Sequence, residues 1–489
     1  MRRAVDSPWV WVVALVQVGA LFATSGRYGY HRDEMYFIVS GAHHAFGYPD
    51  QPPLVPLVCW AMHSIAPGSL TVLRAPSALV AGVTTVLAAM VAREAGGDAR
   101  AQTLAAACTA CGGFALATGH FVTTTTFDGL STTGLGLLMT RAVVRRSGAH
   151  VLAAGIVTGL GVEAKPQVGL VAAVMLCVLL VVGPRWAVLS WWTAAGVAAA
   201  AVLGAPYVIW QAVHGWPQIA VAHNIAGDAE GGRVGFIPFQ LVMVSPVLVP
   251  VWAAGLAAPF RRADLRALRF IPVSYGALAV LYIAGDGKAY YIASLYPVLL
   301  GLGAIPAAAW ASRTATRRWL LGAAVAVSAV ISGFIALPLL PERDLQGSAV
   351  MALNPDMGEE VGWPSFTRTV AAAWTRIPAA ERARTAIFTA NYGEAADIDL
   401  LGGRYGLPRS YSGHNSFSEW GMPPAADTHA LLLGYGSPAG ARWHFRDCRV
   451  LARIDNGVGL NNDEQGLPVM LCRPVRSWAA LWPQLRHYE

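Results

Sequence analysis

Charge is what this sequence has least of. Asp, Glu, Lys and Arg make up 13% of its 489 residues, against roughly a quarter in a water-soluble chain. With 55% hydrophobic residues and a mean hydropathy of +0.47, that scarcity excludes a cytosolic enzyme and a disordered chain. Six cysteines are too few for a disulfide-stapled miniprotein. Lysine is nearly missing: of 35 basic residues only Lys165 and Lys288 are lysines, and the other 33 are arginines. Such a bias reflects a GC-rich genome more than function, yet it singles out the two lysines. Internal repeats and low-complexity segments are lacking too. A pI of about 9.2 suggests a nucleic-acid partner only until the arginines are located.

What is there is a series of apolar runs long enough to read as transmembrane helices. Eleven fall near residues 8–25, 71–92, 101–118, 128–144, 149–163, 166–183, 187–209, 237–258, 268–284, 289–308 and 319–338. Residues 53–66 are also apolar, but Pro52, Pro53, Pro56 and Pro67 interrupt them. They read as a short helix in or near the membrane interface. The first run lacks a convincing cleavage site and is followed by further spans, so it reads as a helix and not a signal peptide.

Basic residues orient the chain. With a cytoplasmic N-terminus the inner loops carry 15 arginines (from Arg2 and Arg3 to Arg313, Arg317 and Arg318), and the outer loops before residue 340 carry six basic residues: Arg27, Arg32, Arg74, Lys165, Arg233 and Lys288. The basic excess is therefore topology, and no nucleic-acid partner is expected. Acids gather outside: Asp33, Glu34, Asp50, Asp128, Glu163, Asp228, Glu230 and Asp286. The inner acids Asp6, Glu94, Asp98 and Asp264 lie among arginines and read as ordinary solvated charge.

Composition changes after residue 340. Residues 341–489 hold 14 Arg against 16 Asp plus Glu and no long apolar run. Thr385–Thr389, Ala430–Leu433 and Val469–Cys472 read as buried strands, and residues 365–377 and 393–401 as helices. The expected organisation is a polytopic α-helical membrane domain, 1–340, with a first outer loop at 26–70 and an outer lid loop at 211–236, followed by an extracytoplasmic α/β domain, 341–489. Cys108 and Cys111 form a CxxC inside a span with no other ligands, and read as buried small hydrophobes. Cys448 and Cys472 are the two cysteines of the outer domain. An oxidising compartment permits a disulfide between them, with a free pair as the alternative.

The outer face carries the chemistry-bearing residues. The first outer loop reads His31-Arg32-Asp33-Glu34-Met35-Tyr36 and then Gly47-Tyr48-Pro49-Asp50-Gln51-Pro52-Pro53-Leu54. Paired acids at a membrane edge are costly unless they serve a site, although Asp33 fits equally well as a helix cap. His120 and Asp128 flank a threonine run. Lys165 in Glu163-Ala164-Lys165-Pro166 and Lys288 in Asp286-Gly287-Lys288-Ala289-Tyr290-Tyr291 each sit beside an acid. Either lysine reads as half of a salt bridge to that neighbour, or as a cation awaiting an anion. Two adjacent helical histidines, His43 and His44, point about 100° apart and are poorly placed to share a metal. The sequence requires no cofactor; a divalent metal is allowed, but no ligand cluster supports one.

These motifs resemble those of the polyprenyl-phosphate-dependent membrane glycosyltransferases of family 39, with the GT-C fold, a group that includes protein O-mannosyltransferases and bacterial aminoarabinose transferases. The resemblance runs over nearly the whole chain. It rests on Asp33-Glu34-Met35-Tyr36, the Tyr48-to-Leu54 motif, Lys165, Trp210-Gln211 with His214-Gly215-Trp216-Pro217, and Gly287-Lys288-Ala289-Tyr290-Tyr291 with Tyr296-Pro297. It continues in Asn391-Tyr392-Gly393-Glu394-Ala395 and Tyr411-Ser412-Gly413-His414-Asn415. Gln51 departs from the pattern, since relatives commonly carry His or Lys before the diproline.

The resemblance implies transfer of a sugar from a polyprenyl-phosphate donor to an extracytoplasmic hydroxyl, with inversion and with mannose as the default sugar. The acceptor is a protein, a glycan or a glycolipid. It implies Asp33 as general base, with Glu34 as runner-up or orienting partner. A leaving phosphate needs cations, for which Lys165 and Lys288 come first and Arg233 and His223 next. Asp50, Tyr48, Asp128, His120, Tyr290 and Tyr291 are the candidates for sugar or acceptor binding, though Tyr and Trp also populate membrane interfaces for their own sake. The implied location is a bacterial inner membrane. A transporter or flippase of lipid-linked sugars is disfavoured because the spans are nearly free of charge. A non-catalytic assembly protein on the same scaffold is disfavoured because the Asp-Glu pair is present.

Overall fold

The computed structural model describes residues 5–226 and 232–489. The chain groups into two compact units. One comprises Met1–Ser25, Leu73–Trp210 and Ile225–Leu339; the other comprises Gly26–Val72, Gln211–Asn224 and Leu340–Glu489. The second unit therefore gathers the first outer loop with the C-terminal residues, a grouping that composition does not reveal.

The first unit is helical. Each of the eleven apolar segments forms helix, but not all form a straight span. Leu70–Glu94, Ala289–Ala311 and Ala315–Ala336 are long and apolar enough to cross a membrane, and the number rises to six if each of three bent pairs is one span. The bent pairs are Ala99–Ala110 with Gly113–His120, Trp191–Leu203 with Ala205–Val213, and Gly232–Val244 with Pro246–Arg261. Each bend has a local cause. Glycine interrupts the first two, at Gly112 and Gly204. In the third, bent by 85°, Ser245 takes a left-handed φ of 83° immediately before Pro246, which cannot continue the helical hydrogen bonding. Helix Ala315–Ala336 turns Trp319 (79% exposed), Leu320 and Val330 outward, a face that water does not favour. The acids expected on the inner side, Asp6, Glu94 and Asp264, are paired with Arg93, with Arg141 and Arg145, and with Arg262, respectively. Asp98 caps helix Ala99–Ala110.

The second unit is built around a five-stranded sheet. β1 (Thr385–Thr389), β2 (Ser410–Ser412), β3 (His429–Leu433), β4 (Phe445–Arg453) and β5 (Pro468–Pro474) lie in the order β2-β1-β3-β5-β4. β1 pairs parallel with β2 and β3, while β5 pairs antiparallel with β3 and β4. Phe388, Phe445, Met470, Trp478 and Leu481 form a core on this sheet. The β4–β5 ladder shifts register between Arg446 and Arg449, and there Cys448 and Cys472 form a disulfide with Cα atoms 4.2 Å apart.

Two helices of the first loop complete this unit. Arg32–Ala42 crosses Leu54–Ile65 so closely that a Cβ on Gly41 would stand 2.1 Å from the Pro56 carbonyl oxygen. Arg32–Ala42 also meets the helix Tyr392–Leu401, where a Cβ on Gly393 would come within 3.0 Å of Arg32 Cβ. Glycine at both crossings lets the backbones approach.

Carboxyls are buried beside these helices. Glu394 and Glu464 are 0% and 5% exposed. Burial pushes each up to about 7, and the Glu394 charge adds to the effect at Glu464. Between the ordinary carboxylate range and 7 the folded unit holds protons that the unfolded chain has released, so stability falls as pH rises through that window. The melting temperature of the detergent-solubilised protein should therefore drop from pH 5.5 to pH 8 by on the order of 5 °C. Glu464→Gln should flatten the dependence, as read by scanning fluorimetry.

Candidate active site

Asp33 and Glu34 are adjacent in sequence, and the start of helix Arg32–Ala42 gives them different partners. His31 is the N-cap: its Nδ1 accepts the Asp33 N–H at 3.1 Å, and Glu34 Oε2 accepts the His31 N–H at 3.0 Å. This reciprocal capping box holds Glu34 fully buried. The capping acid is thus Glu34. Asp33, one residue before it and about 100° around the helix, stays partly exposed.

Asp33 Oδ1 accepts the Tyr392 hydroxyl at 2.8 Å. Burial, then the Asp33 charge, keeps that phenol well above its ordinary pKa, so it remains a donor. The Tyr392 ring lies 4.6 Å from the Tyr36 ring, with the Arg32 guanidinium 5.9 Å from its centre. Arg32 in turn pairs with Glu359 at 3.3 Å. Asp50 is held from both sides: Oδ1 accepts the Tyr36 hydroxyl at 2.8 Å and Oδ2 the Asn415 amide at 3.4 Å. The Tyr36 hydroxyl also meets Ser416. Burial pushes Asp50 up to about 7; the Tyr36 hydrogen bond opposes this and the Asp33 charge adds to it. One carboxylate is thus partly open and its neighbour is poised near neutral pH, a division of roles suited to proton transfer and hydroxyl binding.

Tyr48 is 2% exposed, with its hydroxyl on the Ser40 carbonyl at 2.7 Å, and the Gln211 amide reaches the Tyr48 carbonyl at 3.0 Å. Gln51 is buried, and both of its side-chain polar atoms lack a hydrogen bond among the described residues. His43 stacks on Trp420 while His44 meets Trp60, so the two rings diverge. His223 is exposed on the helix Pro217–Asn224. The expected lid at 211–236 contains this helix and the start of helix Gly232–Val244, and its Gly227–Gly231 segment lies outside the described residues. Among the described residues no group of three His, Cys, Asp or Glu side chains is placed to hold a metal ion.

In the first unit the two lysines depart from the salt bridges that their neighbours offered. Lys165, in the turn between helices Gly148–Val162 and Gln167–Val182, donates to Thr125 Oγ1 at 2.9 Å. Its Nζ lies 5.2 Å from the centres of both the Tyr290 and Tyr291 rings. Glu163 instead accepts the Tyr207 N–H at 3.2 Å. Burial lowers the Lys165 pKa; the charge of Asp128 opposes this and that of Lys288 adds to it. Asp286 is taken by a two-point ion pair with Arg233, so Lys288 has no ion-pair partner among the described residues. That pair also occupies the Arg233 charge. Asp128, 1% exposed, accepts from Thr132 and Ser294. His120 is apart from these groups, beside the Arg74 guanidinium at 3.5 Å.

The expected site residues therefore fall into an acidic cluster in one unit and a lysine–tyrosine–aspartate cluster in the other. Tyr36, Tyr392, Asn415 and Ser416 belong to the acidic cluster and were not singled out by chemistry. Tyr36, Tyr392 and Asn415 do stand within the motifs that carry the family resemblance, and that was the available signal.

The family model for dolichyl-phosphate-mannose-protein mannosyltransferases matches residues 50–210, a stretch that includes Asp50, Asp128 and Lys165. Among solved structures, ArnT from Cupriavidus metallidurans bound to undecaprenyl phosphate aligns with a TM-score of 0.62 at 13% identity, covering 96% of this chain and 98% of that one. The apo state of the same protein aligns at 0.64 and 14% identity, covering 95% and 97%. No curated protein matches by sequence. The chain thus shares its fold with ArnT, and over residues 50–210 it is similar to the dolichyl-phosphate-mannose-protein mannosyltransferases.

Proposed function

We propose that the protein transfers a sugar, mannose by default, from a polyprenyl-phosphate donor to a hydroxyl on the outer side of a bacterial inner membrane, with inversion at the anomeric carbon. The observation that carries this reading is Asp33. It is a partly open carboxylate on a helix N-terminus, with one oxygen tied to Tyr392 and the other without a hydrogen bond among the described residues. In this reading the acceptor oxygen attacks the anomeric carbon and its proton passes to Asp33. The bond from that carbon to the phosphate oxygen breaks, and the polyprenyl phosphate leaves with the electron pair. Asp50, held by Tyr36 and Asn415, orients a hydroxyl. Lys165, bedded on Tyr290 and Tyr291, meets the phosphate charge, where a cation removed from water acts strongly. Lys288 is the second cation.

The reading also takes the eleven helical segments as spans and places both the acids and the C-terminal domain outside, as the arginine distribution supports. Purified full-length protein given radiolabelled undecaprenyl-phosphate mannose and an extract of a strain lacking the gene should label a component of that extract. If neither this donor nor its pentose and amino-sugar counterparts are consumed, the transferase reading is wrong, and a transport or assembly role takes its place.

A further inference from the structure

We propose that Tyr392, from the C-terminal part of the chain, is a positioning residue that sets the orientation of Asp33; this rests on the reading of Asp33 as the general base. Four contacts fix the tyrosine independently of any substrate. Its ring packs on Tyr36 at 4.6 Å, takes the Arg32 guanidinium at 5.9 Å and meets the edge of His414 at 5.0 Å. Its backbone opens the helix Tyr392–Leu401, which a capping box of Asn391 and Glu394 starts in register. The hydroxyl then has a defined place, 2.8 Å from Asp33 Oδ1.

An aspartate on the first turn of a helix has several rotamers open to it, and a single bond to Oδ1 leaves Oδ2 as the oxygen that takes the acceptor's proton. The C-terminal part of this chain would then complete the catalytic apparatus and do more than recruit an acceptor. Asp50 is tied in the same way by Asn415, so the two loop carboxylates take their partners from two separate C-terminal motifs.

Tyr392→Phe removes the hydroxyl and keeps the ring in its packing. In the transfer assay with undecaprenyl-phosphate mannose, Tyr392→Phe should lower kcat about ten-fold with KM changed less than two-fold. Fluorotyrosine incorporated at position 392 keeps the hydroxyl donor and should hold kcat within about two-fold of the parent value, which keeps the test open if Tyr392→Phe folds poorly. Tyr411→Phe, whose ring lies against the Arg409 guanidinium, should change neither kcat nor KM. An unchanged kcat in Tyr392→Phe, with Asp33→Asn inactive, would overturn the role of Tyr392 while leaving the base assignment standing. An Asp33→Asn variant as active as the parent would overturn the base assignment itself, and the role of Tyr392 with it.

Discussion

Asp33→Asn should reduce sugar transfer by on the order of a thousand-fold in kcat, with the donor KM within about three-fold of the parent value. The asparagine keeps the size of the side chain and can still accept the Tyr392 hydroxyl, so the local fold should survive. What is lost is the group that accepts a proton as the acceptor oxygen attacks. Base catalysis by a placed side chain contributes roughly 10²–10⁴-fold, which at about 1.4 kcal/mol per factor of ten is about 3–5 kcal/mol of barrier. Glu34→Ala makes the informative contrast. Glu34 is buried and caps the helix through the His31 N–H. Its loss should cost about 1 kcal/mol of stability and lower the melting temperature, while the variant that remains folded turns over at a rate near that of the parent. Equal kinetic damage from both substitutions would show that the two acids are not divided as the hydrogen bonds divide them. Full activity in Asp33→Asn would remove the base from this carboxylate altogether.

The difference between these two acids was not legible in the sequence, because it is a matter of helix register. Asp-Glu after a first span admits either residue as the cap, and the choice falls to His31 at the position before. Other parts were legible for simple reasons. Thr385–Thr389 and Val469–Cys472 are short apolar runs between turns, and both lie in interior strands of the sheet. β4 was missed because it is an edge strand carrying Arg446, Arg449 and Arg453, and edge strands often trade apolar pattern for charge. β2, three residues long, is too short to show a period. The apolar segments were recognised as helices, but the bends at Gly112, Gly204 and Ser245-Pro246 shorten what length alone suggested. The salt bridges offered by adjacency failed for a different reason. Glu163 and Asp286 found partners 44 and 53 residues away, and proximity in sequence carried no information about that. Tyr392 lies 359 residues from Asp33, so its role emerges only when the chain is folded.

Lys165→Met should lower kcat/KM for the polyprenyl-phosphate donor by about a hundred-fold, and Lys288→Met by less. Removing one positioned group that stabilises charge developing in a transition state costs about 10²–10³-fold, and Lys165 is the better held of the two. Its ammonium is fixed by Thr125 and two tyrosine rings, whereas Lys288 has no ion-pair partner among the described residues. A half-buried mid-turn lysine also titrates early. Burial favours the neutral amine, and the neighbouring Lys288 charge pushes the same way. Donor use should therefore fail on the alkaline side before an ordinary lysine would lose its proton. The sign is testable without assuming a value. Lys165→Arg keeps the charge and does not titrate in that range, so it should extend activity toward higher pH even if the larger head group lowers the maximum rate. Lys288→Met should also shift the alkaline limb upward, because it removes a like charge from beside Lys165. If the alkaline limb is the same in the parent, in Lys165→Arg and in Lys288→Met, the ammonium of Lys165 is not the group that meets the donor phosphate. The cation required by a departing phosphate would then have to be sought elsewhere on the chain.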